Sequence, residues 1–208
     1  MEKEISDKIE AFFTKFKHQT YKKGEIIIRA DEDPSGIFYL KNGSVKAYVI
    51  SKKGDELIVN IFRPIAFFPM PWAINNTHNK FYFEAVTDIE IWKAPREEVV
   101  AFVKKEPDVL YDLLSRVFRG LDGVLTRMIY LMAGNAYARL LTEIIIQGRR
   151  FGVELKISEK DLAAQTGMTR ETVSREMKTL KDKKLVTFNK NLLQISSLEK
   201  LEDELNSF

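Results

Sequence analysis

The stretch Ile157-Ser-Glu-Lys-Asp-Leu-Ala-Ala-Gln-Thr-Gly-Met-Thr-Arg-Glu-Thr-Val-Ser-Arg-Glu-Met-Lys-Thr-Leu-Lys-Asp-Lys-Lys-Leu-Val186 decides how the C-terminal half folds. Ser158 opens a capping-box pattern with Asp161, and Leu162, Ala163 and Ala164 continue it as a short helix. Gly167 breaks that helix, Met168 packs into the turn, and Thr169 is a natural N-cap for a second helix. On the second helix Arg170, Glu171, Ser174 and Arg175 share one polar face, while Val173, Met177 and Leu180 recur at spacings that bury. A small Ala163, Gly167 four residues on and Val173 six beyond it form the pattern of a helix-turn-helix, whose tight corner needs small residues. Two β-prone runs follow, Leu185 to Phe188 and Leu192 to Ile195, separated by Asn189-Lys190-Asn191. They predict a hairpin, read here as a wing.

The exposed face of the second helix carries chemistry that a plain basic helix lacks. Arginine offers a bidentate fork to guanine and glutamate accepts from cytosine N4, so Arg170, Glu171 and Arg175 are suited to discriminate bases, with Ser174 beside them. Between Lys156 and Lys190 nine Lys or Arg face five Asp or Glu, although the whole chain carries only +3. Lys178, Lys181, Lys183, Lys184 and Lys190 sit where phosphates would pass, so they position the duplex and make binding salt-dependent, with Thr169 as a further expected phosphate contact. An ordinary solvated helix face is the competing reading of the lysines; it does not explain the Arg-Glu-Ser-Arg cluster after a turn signature.

These residues resemble the winged helix-turn-helix of the Crp/Fnr family of bacterial transcription regulators. By that resemblance Arg170, Glu171 and Arg175 match residues that read a GTGA-type half-site, and Ser174 matches a base-contacting serine of the Fnr branch. The operator implied is a two-fold palindrome.

Composition bounds the rest. A chain of 208 residues with 45% hydrophobic content is ordinary for a folded protein of one large or two small domains. It has no Cys, which excludes disulfides, zinc-thiolate sites, a Cys-ligated iron-sulfur cluster and a Cys nucleophile. The start Met1-Glu-Lys-Glu lacks an apolar signal core, and the apolar stretch Ile65 to Ile74 is short and interrupted by Pro69 and Pro71, so the expectation is a cytoplasmic protein with no membrane partner. All six prolines lie at or before Pro107, which marks a change from a turn-rich half to a helical one.

The first half reads as short strands over Glu25 to Arg29, Gly36 to Leu40, Ser44 to Val49, Glu56 to Phe62, Phe81 to Ala85 and Asp88 to Lys93, with a helix over Ile5 to Phe16. Gly24, Gly36, Asn42-Gly43 and Lys53-Gly54 supply the corners. Lys23-Gly24-Glu25 through Asn42-Gly43-Ser44-Val45 resembles the β-roll sensor domain of the same family. Cyclic-nucleotide binders of that family carry a Gly-Glu pair opening a short helix, then an Arg and a Ser or Thr that hold the cyclic phosphate. Here no Gly lies between Gly54 and Gly120, and the cations Arg63 and Lys80 are out of place, so no cAMP is expected. Phe67, Phe68, Met70, Trp72, Phe81 and Phe83 would line an apolar pocket for a small effector, or fill the roll as core. Haem is the sharper occupant, with His78 or Met70 as iron ligand, though a lone His beside Asn and Lys reads more simply as a surface residue. Asp31-Glu-Asp33-Pro-Ser35-Gly36 imitates the opening of an EF-hand loop without its terminal Glu and is read as a turn. No metal site is expected.

After Pro107, Leu110, Leu114, Val117, Leu121, Val124, Met128 and Leu131 alternate four and three apart, a heptad seam. Placed between a β sensor and a helix-turn-helix that needs a partner to span two half-sites, it is read as a homodimer interface. Val109, Leu113, Phe118, Leu125, Ile129 and Met132 widen the stripe and are expected to pack on the β roll. The positions that touch the cyclic nucleotide in the resembling family correspond here to Val124 and Leu125, which join the proposed effector pocket. Gly120 and Gly123 lie just before them and mark either close packing or a flexible point.

The expected architecture is α+β: an N-terminal antiparallel β-roll of the cyclic-nucleotide-binding jelly-roll type over 1–106, a dimerisation helix over 107–135, and a winged helix-turn-helix over 136–208. The function implied is a homodimeric, sequence-specific transcription regulator with double-stranded DNA, RNA polymerase and a small apolar effector as partners. The competing reading is a ligand- or haem-binding signalling module that keeps the winged domain as scaffold. An enzyme is not expected, since only His18 and His78 are present, far apart, with no phosphate loop or metal-ligand cluster.

Overall fold

A computed structural model describes residues 2–207, with the side chains of Glu2 and Ala133 left aside. The chain runs α1 (Glu2–Phe13), β1 (Lys17–Tyr21), β2 (Ile26–Ile28), β3 (Ile37–Asn42), β4 (Val45–Ile50), β5 (Glu56–Phe62), β6 (Phe67–Phe68), α2 (Met70–Asn75), β7 (Tyr82–Ala85), β8 (Ile89–Ala94), α3 (Arg96–Lys105) and α4 (Pro107–Ala133). It continues with α5 (Ala136–Phe151), β9 (Glu154–Lys156), α6 (Glu159–Thr166), α7 (Arg170–Asp182), β10 (Val186–Asn189), β11 (Leu192–Ile195) and α8 (Leu198–Asn206). Two compact units result, one up to Arg116 and one from Val117, so α4 contributes its first residues to one and the remainder to the other.

The first unit is a sandwich of two four-stranded antiparallel sheets, in the orders β1-β8-β3-β6 and β2-β7-β4-β5. Ile28, Val45, Ala47, Phe83 and Ala85 from one sheet meet Phe38, Leu40, Phe68, Ile89 and Ile91 from the other. The outer face of the β8-β3-β6 sheet is buried as well: Ile37, Tyr39, Phe67 and Ala94 pack with Ile9 and Phe13 of α1, Ala73 of α2, Val99 and Val103 of α3 and Val109 of α4. Strand β3 therefore reads as the unbroken apolar run Ile37-Phe-Tyr-Leu40, because both of its faces are covered. Gly43 makes the β3–β4 corner with φ +85, where a Cβ would meet Asp88 O at 2.5 Å.

This layering corrects the expected pocket. Phe67 and Phe68 are adjacent on one strand and so point to opposite faces; Phe67 belongs to the helix-side core together with the partly buried Met70 and Trp72, and Phe68 to the sandwich core with Phe83. The Phe68 and Phe83 rings stack at 5.1 Å and 4°, and Phe62 packs on both at 5.0 and 5.9 Å. Phe67, Phe68, Met70, Trp72 and Phe83 therefore divide between two cores and do not line one cavity. Val124 and Leu125 are exposed on α4. His78 is a surface residue, its Nε2 3.0 Å from Asp31 Oδ1, and Met70 packs beside the helix-side core, so their placement gives the haem reading no support.

Helix α4 departs from expectation on its flanks. Val109 and Leu113 pack into the helix-side core as anticipated, but Phe118, Leu125, Ile129 and Met132 are exposed, from 50% to 84%. The seam itself, Leu110, Leu114, Val117, Leu121, Val124, Met128 and Leu131, is also about half-exposed along its whole length. A Cβ at Gly120 would meet nothing within 4 Å and one at Gly123 only Ile146 Cγ2 at 3.8 Å, so neither glycine is required by close packing within the chain.

In the second unit α5 is the central helix. Leu140, Leu141, Ile144 and Ile145 form one core with Leu162, Val173, Met177, Leu180, Leu193, Ile195 and Leu201. A three-stranded sheet β10-β11-β9 completes it. Asn135 starts α5 by accepting from Ala138 N at 2.9 Å.

Candidate nucleic-acid interface

Helices α6 and α7 are built as their sequence predicts. Ser158 Oγ accepts from Asp161 N at 3.1 Å and the Asp161 carboxylate accepts from Ser158 N at 3.1 Å, a complete capping box. Gly167 ends α6 in the left-handed conformation with φ +63. Arg139 Nη2 donates to Thr166 O at 2.6 Å and so ties the corner to α5. Thr169 then caps α7, its Oγ1 accepting from Thr172 N at 3.2 Å.

Val173, Met177 and Leu180 anchor α7 in the core, each at most 1% exposed. At 3.6 residues per turn, Arg170, Ser174, Lys178, Lys181, Glu171 and Arg175 fall within an arc of about 140° that begins beside the core-facing stripe and runs away from it, and all six are exposed. Thr169 stands exposed at the N-terminal end of the same face. The expected base-reading residues and the expected phosphate residues Thr169, Lys178 and Lys181 thus share one helix and its cap. Lys190 lies on the wing, where with Asn191, Phe188, Ser158, Glu159, Lys160 and Arg170 it borders a cleft between the wing turn and the starts of α6 and α7.

The wing differs in detail from its expected form. Asn189 pairs with Leu192, so the turn has two residues rather than three. Lys190 and Asn191 both have positive φ, +47 and +65, as a type I′ hairpin turn requires. This geometry places the Lys190 ammonium at the hairpin tip. Strand β9, absent from the expected hairpin, extends it on the β11 side.

The electrostatics of the face are locally balanced. Glu171 lies in the first turn of α7, where hydrogen bonds from its own backbone N–H and from the Thr169 hydroxyl hold its carboxyl below the usual carboxylate range. It is therefore an acceptor at neutral pH, as contact with cytosine N4 demands. Arg175 donates from Nε to Glu176 Oε1 at 3.0 Å, and Arg170 Nε lies 3.7 Å from Glu159 Oε2. Sequence reasoning passed over Glu159 and Glu176. Neighbours i and i+1 on a helix do not ordinarily face each other, and Glu159 reaches Arg170 only because α6 and α7 pack together.

Two family models match the chain: one described as a cyclic nucleotide-binding domain over residues 18–106, and one described as a Crp-like helix-turn-helix domain over residues 137–204. The chain is 26% identical over 191 residues to the global nitrogen regulator of Nostoc sp., covering 85% of this chain and 84% of that protein. It is 24% identical over 200 residues to the cyclic AMP receptor protein of Thermus thermophilus, covering 95% and 92%. Among solved structures, a CooA mutant from Carboxydothermus hydrogenoformans shares the fold with a TM-score of 0.77 at 20% identity, covering 94% of this chain and 90% of that one.

Proposed function

The chain belongs to the Crp/Fnr family of DNA-binding transcription regulators, and we propose that it acts as a homodimer whose two α7 helices read a two-fold palindrome with GTGA-like half-sites. The observation that carries this reading is the face of α7. Arg170, Glu171, Ser174 and Arg175 are all exposed on a helix whose other side is locked into the core, and no packing role accounts for them. Arg170 and Arg175 give bidentate donors to guanine and Glu171 an ionised acceptor for cytosine. Thr169, Lys178, Lys181 and Lys190 grip phosphates and fix the register.

The apolar stripe of α4 supports the homodimer. Seven seam residues from Leu110 to Leu131 are left about half-exposed by the single chain, together with Tyr111, Phe118, Leu125, Ile129 and Met132. A soluble monomer rarely leaves so continuous an apolar face open, and a parallel coil of two α4 helices would close it. Such a dimer sets its reading helices one turn of DNA apart, about 34–36 Å. The reading entails RNA polymerase as a further partner and the cytoplasm as the place of action; no helix among the described residues is long and apolar enough to cross a membrane.

The controlling effector is, on this reading, something other than a cyclic nucleotide. The short helix α2 that follows β6 begins Met70-Pro71, and Pro71 in its first turn removes a backbone N–H that a phosphate cradle would use. The sandwich interior on the other face of β6 is packed with the Phe62, Phe68 and Phe83 rings.

Binding of the full chain to a labelled palindromic duplex, compared with Arg175→Ala, tests the function. Loss of sequence preference in the variant, by about 1–3 kcal/mol at one base pair, is the expected result. Equal binding of the parent to the palindrome and to a scrambled duplex contradicts it.

A further inference from the structure

Each arginine assigned to base reading has a glutamate beside it, hydrogen-bonded at Arg175 and only a longer ion pair at Arg170. Arg175 Nε and Nη2 both lie 3.0 Å from Glu176 Oε1, and Arg170 Nε lies 3.7 Å from Glu159 Oε2. The arginine side chains are 69% and 72% exposed, whereas the two glutamates are only 14% and 19% exposed. The guanidinium groups thus project outward while the carboxylates that back them are largely enclosed by α6, α7 and their surroundings.

Carboxylates at these positions call for an explanation. A negative charge next to passing phosphates weakens attraction to DNA of any sequence. The guanidinium has two edges able to present a parallel pair of N–H groups: the side edge of Nε and Nη2, and the end edge of Nη1 and Nη2. At Arg175, Glu176 Oε1 occupies the side edge. The end edge is then the one left to offer two parallel donors, the arrangement that matches guanine O6 and N7. Tethering also restricts the rotamers of a long side chain before it meets DNA.

We propose that Glu176 is a positioning residue that commits Arg175 to end-on reading of its base, so that it raises specificity at the expense of general affinity. The proposal rests on the reading of Arg175 as a base contact.

The test measures binding of the full chain to the preferred operator, to a scrambled duplex and to a set of duplexes in which each half-site base pair is replaced in turn. The proteins compared are the parent, Arg175→Ala, Glu176→Ala, Glu176→Ser and Glu176→Gln. Glu176→Ala is expected to lower the ratio of operator to scrambled binding about tenfold, with operator affinity falling while scrambled binding holds or rises. The lost discrimination should concentrate at the base pair that Arg175→Ala also relaxes. Glu176→Gln keeps an oxygen acceptor for the side edge and should restore preference at that base pair, with stronger binding to every duplex. A Glu176→Ala protein that binds operator and scrambled DNA more tightly in equal proportion overturns the proposal, since only the charge would then matter. If Glu176→Ala does not fold, Glu176→Ser reads the same effect, and unchanged preference at the Arg175 base pair overturns it. A parent without operator preference overturns the underlying function reading, an outcome distinct from either of these.

Discussion

Arg127 grips the buried carboxylate of Glu143 with both prongs of its fork, Nε to Oε2 at 2.7 Å and Nη2 to Oε1 at 2.9 Å. Glu143 is 1% exposed, and Gln147 Nε2 donates to its Oε1 and to Gln165 Oε1, both at 2.7 Å. The C-terminal part of α4 is thereby tied to α5 and, through Gln147, to α6. Removing Arg127 alone leaves a buried charge with one neutral donor. Arg127→Met should cost about 3–5 kcal/mol in urea unfolding, and the double replacement Arg127→Met with Glu143→Leu should recover most of it. A loss under about 1 kcal/mol would mean that the pair behaves as a solvated one.

The α4 seam predicts a mass. Leu121→Glu places a charge in the middle of the stripe, where two such side chains would face each other across a coil. Sedimentation should show a dimer for the parent and a monomer for the variant, with operator binding lost in parallel. The variant should remain folded as a monomer, because Leu121 is about half-exposed in the single chain, with the part of its thermal stability that depends on protein concentration lost. An unchanged dimer removes α4 from the interface.

A smaller network reports on acid stability. Glu204 accepts from Lys183 Nζ and from the Tyr137 hydroxyl, the latter at 3.1 Å, and these bonds hold its carboxyl below the usual Glu value. A depressed folded-state pKa contributes stability that is fully present above the ordinary Glu value near 4.5 and is lost as pH falls toward the lowered one. Tyr137 is shifted in the opposite direction, raised by burial and then by Glu204, so its share is full below about 10 and is lost at higher pH. Glu204→Gln should lower stability at pH 7 and flatten the acid limb below pH 4.5. An acid limb identical to the parent's would show that Glu204 does not contribute to it.

Asn79 supports the β domain through its amide. It is 5% exposed; Nδ2 donates to Arg29 O at 2.8 Å and to Phe81 O at 3.0 Å, while Oδ1 accepts from Phe81 N at 3.2 Å. Asn79→Ala leaves these backbone groups without partners and should cost about 1–3 kcal/mol. Asn79→Asp should be no milder, since it replaces the donor to two carbonyls by an acceptor. A variant as stable as the parent means the carbonyls find other donors.

What the sequence disclosed follows from which residues had one exposed face. Helix α7 was legible because Val173, Met177 and Leu180 alternate with Arg170, Ser174 and Lys178 across a boundary between core and solvent. The α4 heptad was visible in the spacing of its apolar residues, although the single chain leaves that seam about half-exposed rather than buried. The β6–α2 segment was not: Phe67-Phe-Pro-Met-Pro-Trp72 is apolar throughout, its residues serve two cores at once, and Pro71 sits in the one part of a helix that tolerates it. Edge strand β1 was hidden by its polar run Lys17-His-Gln-Thr, which is acceptable only because a single neighbour, β8, pairs with it. Helix α3 did carry a signal that was passed over, with Glu97 and Glu98 in its first turn and Lys104 and Lys105 in its last. The pairings of Arg170 with Glu159 and Arg175 with Glu176 depend on how long side chains fold over a packed corner, which no spacing rule encodes.

The central claim is that two copies of α7 read a palindrome, and it is tested most directly by letting the protein choose its own site. The full chain, incubated with a pool of random duplexes and carried through repeated capture and sequencing, should enrich a two-fold palindrome with GTGA-like halves about 10–10.5 base pairs apart, centre to centre. The same selection with Arg170, Glu171 and Arg175 all replaced by Ala should enrich nothing. Enrichment of a single asymmetric site, or of no sequence by the parent, would contradict the account.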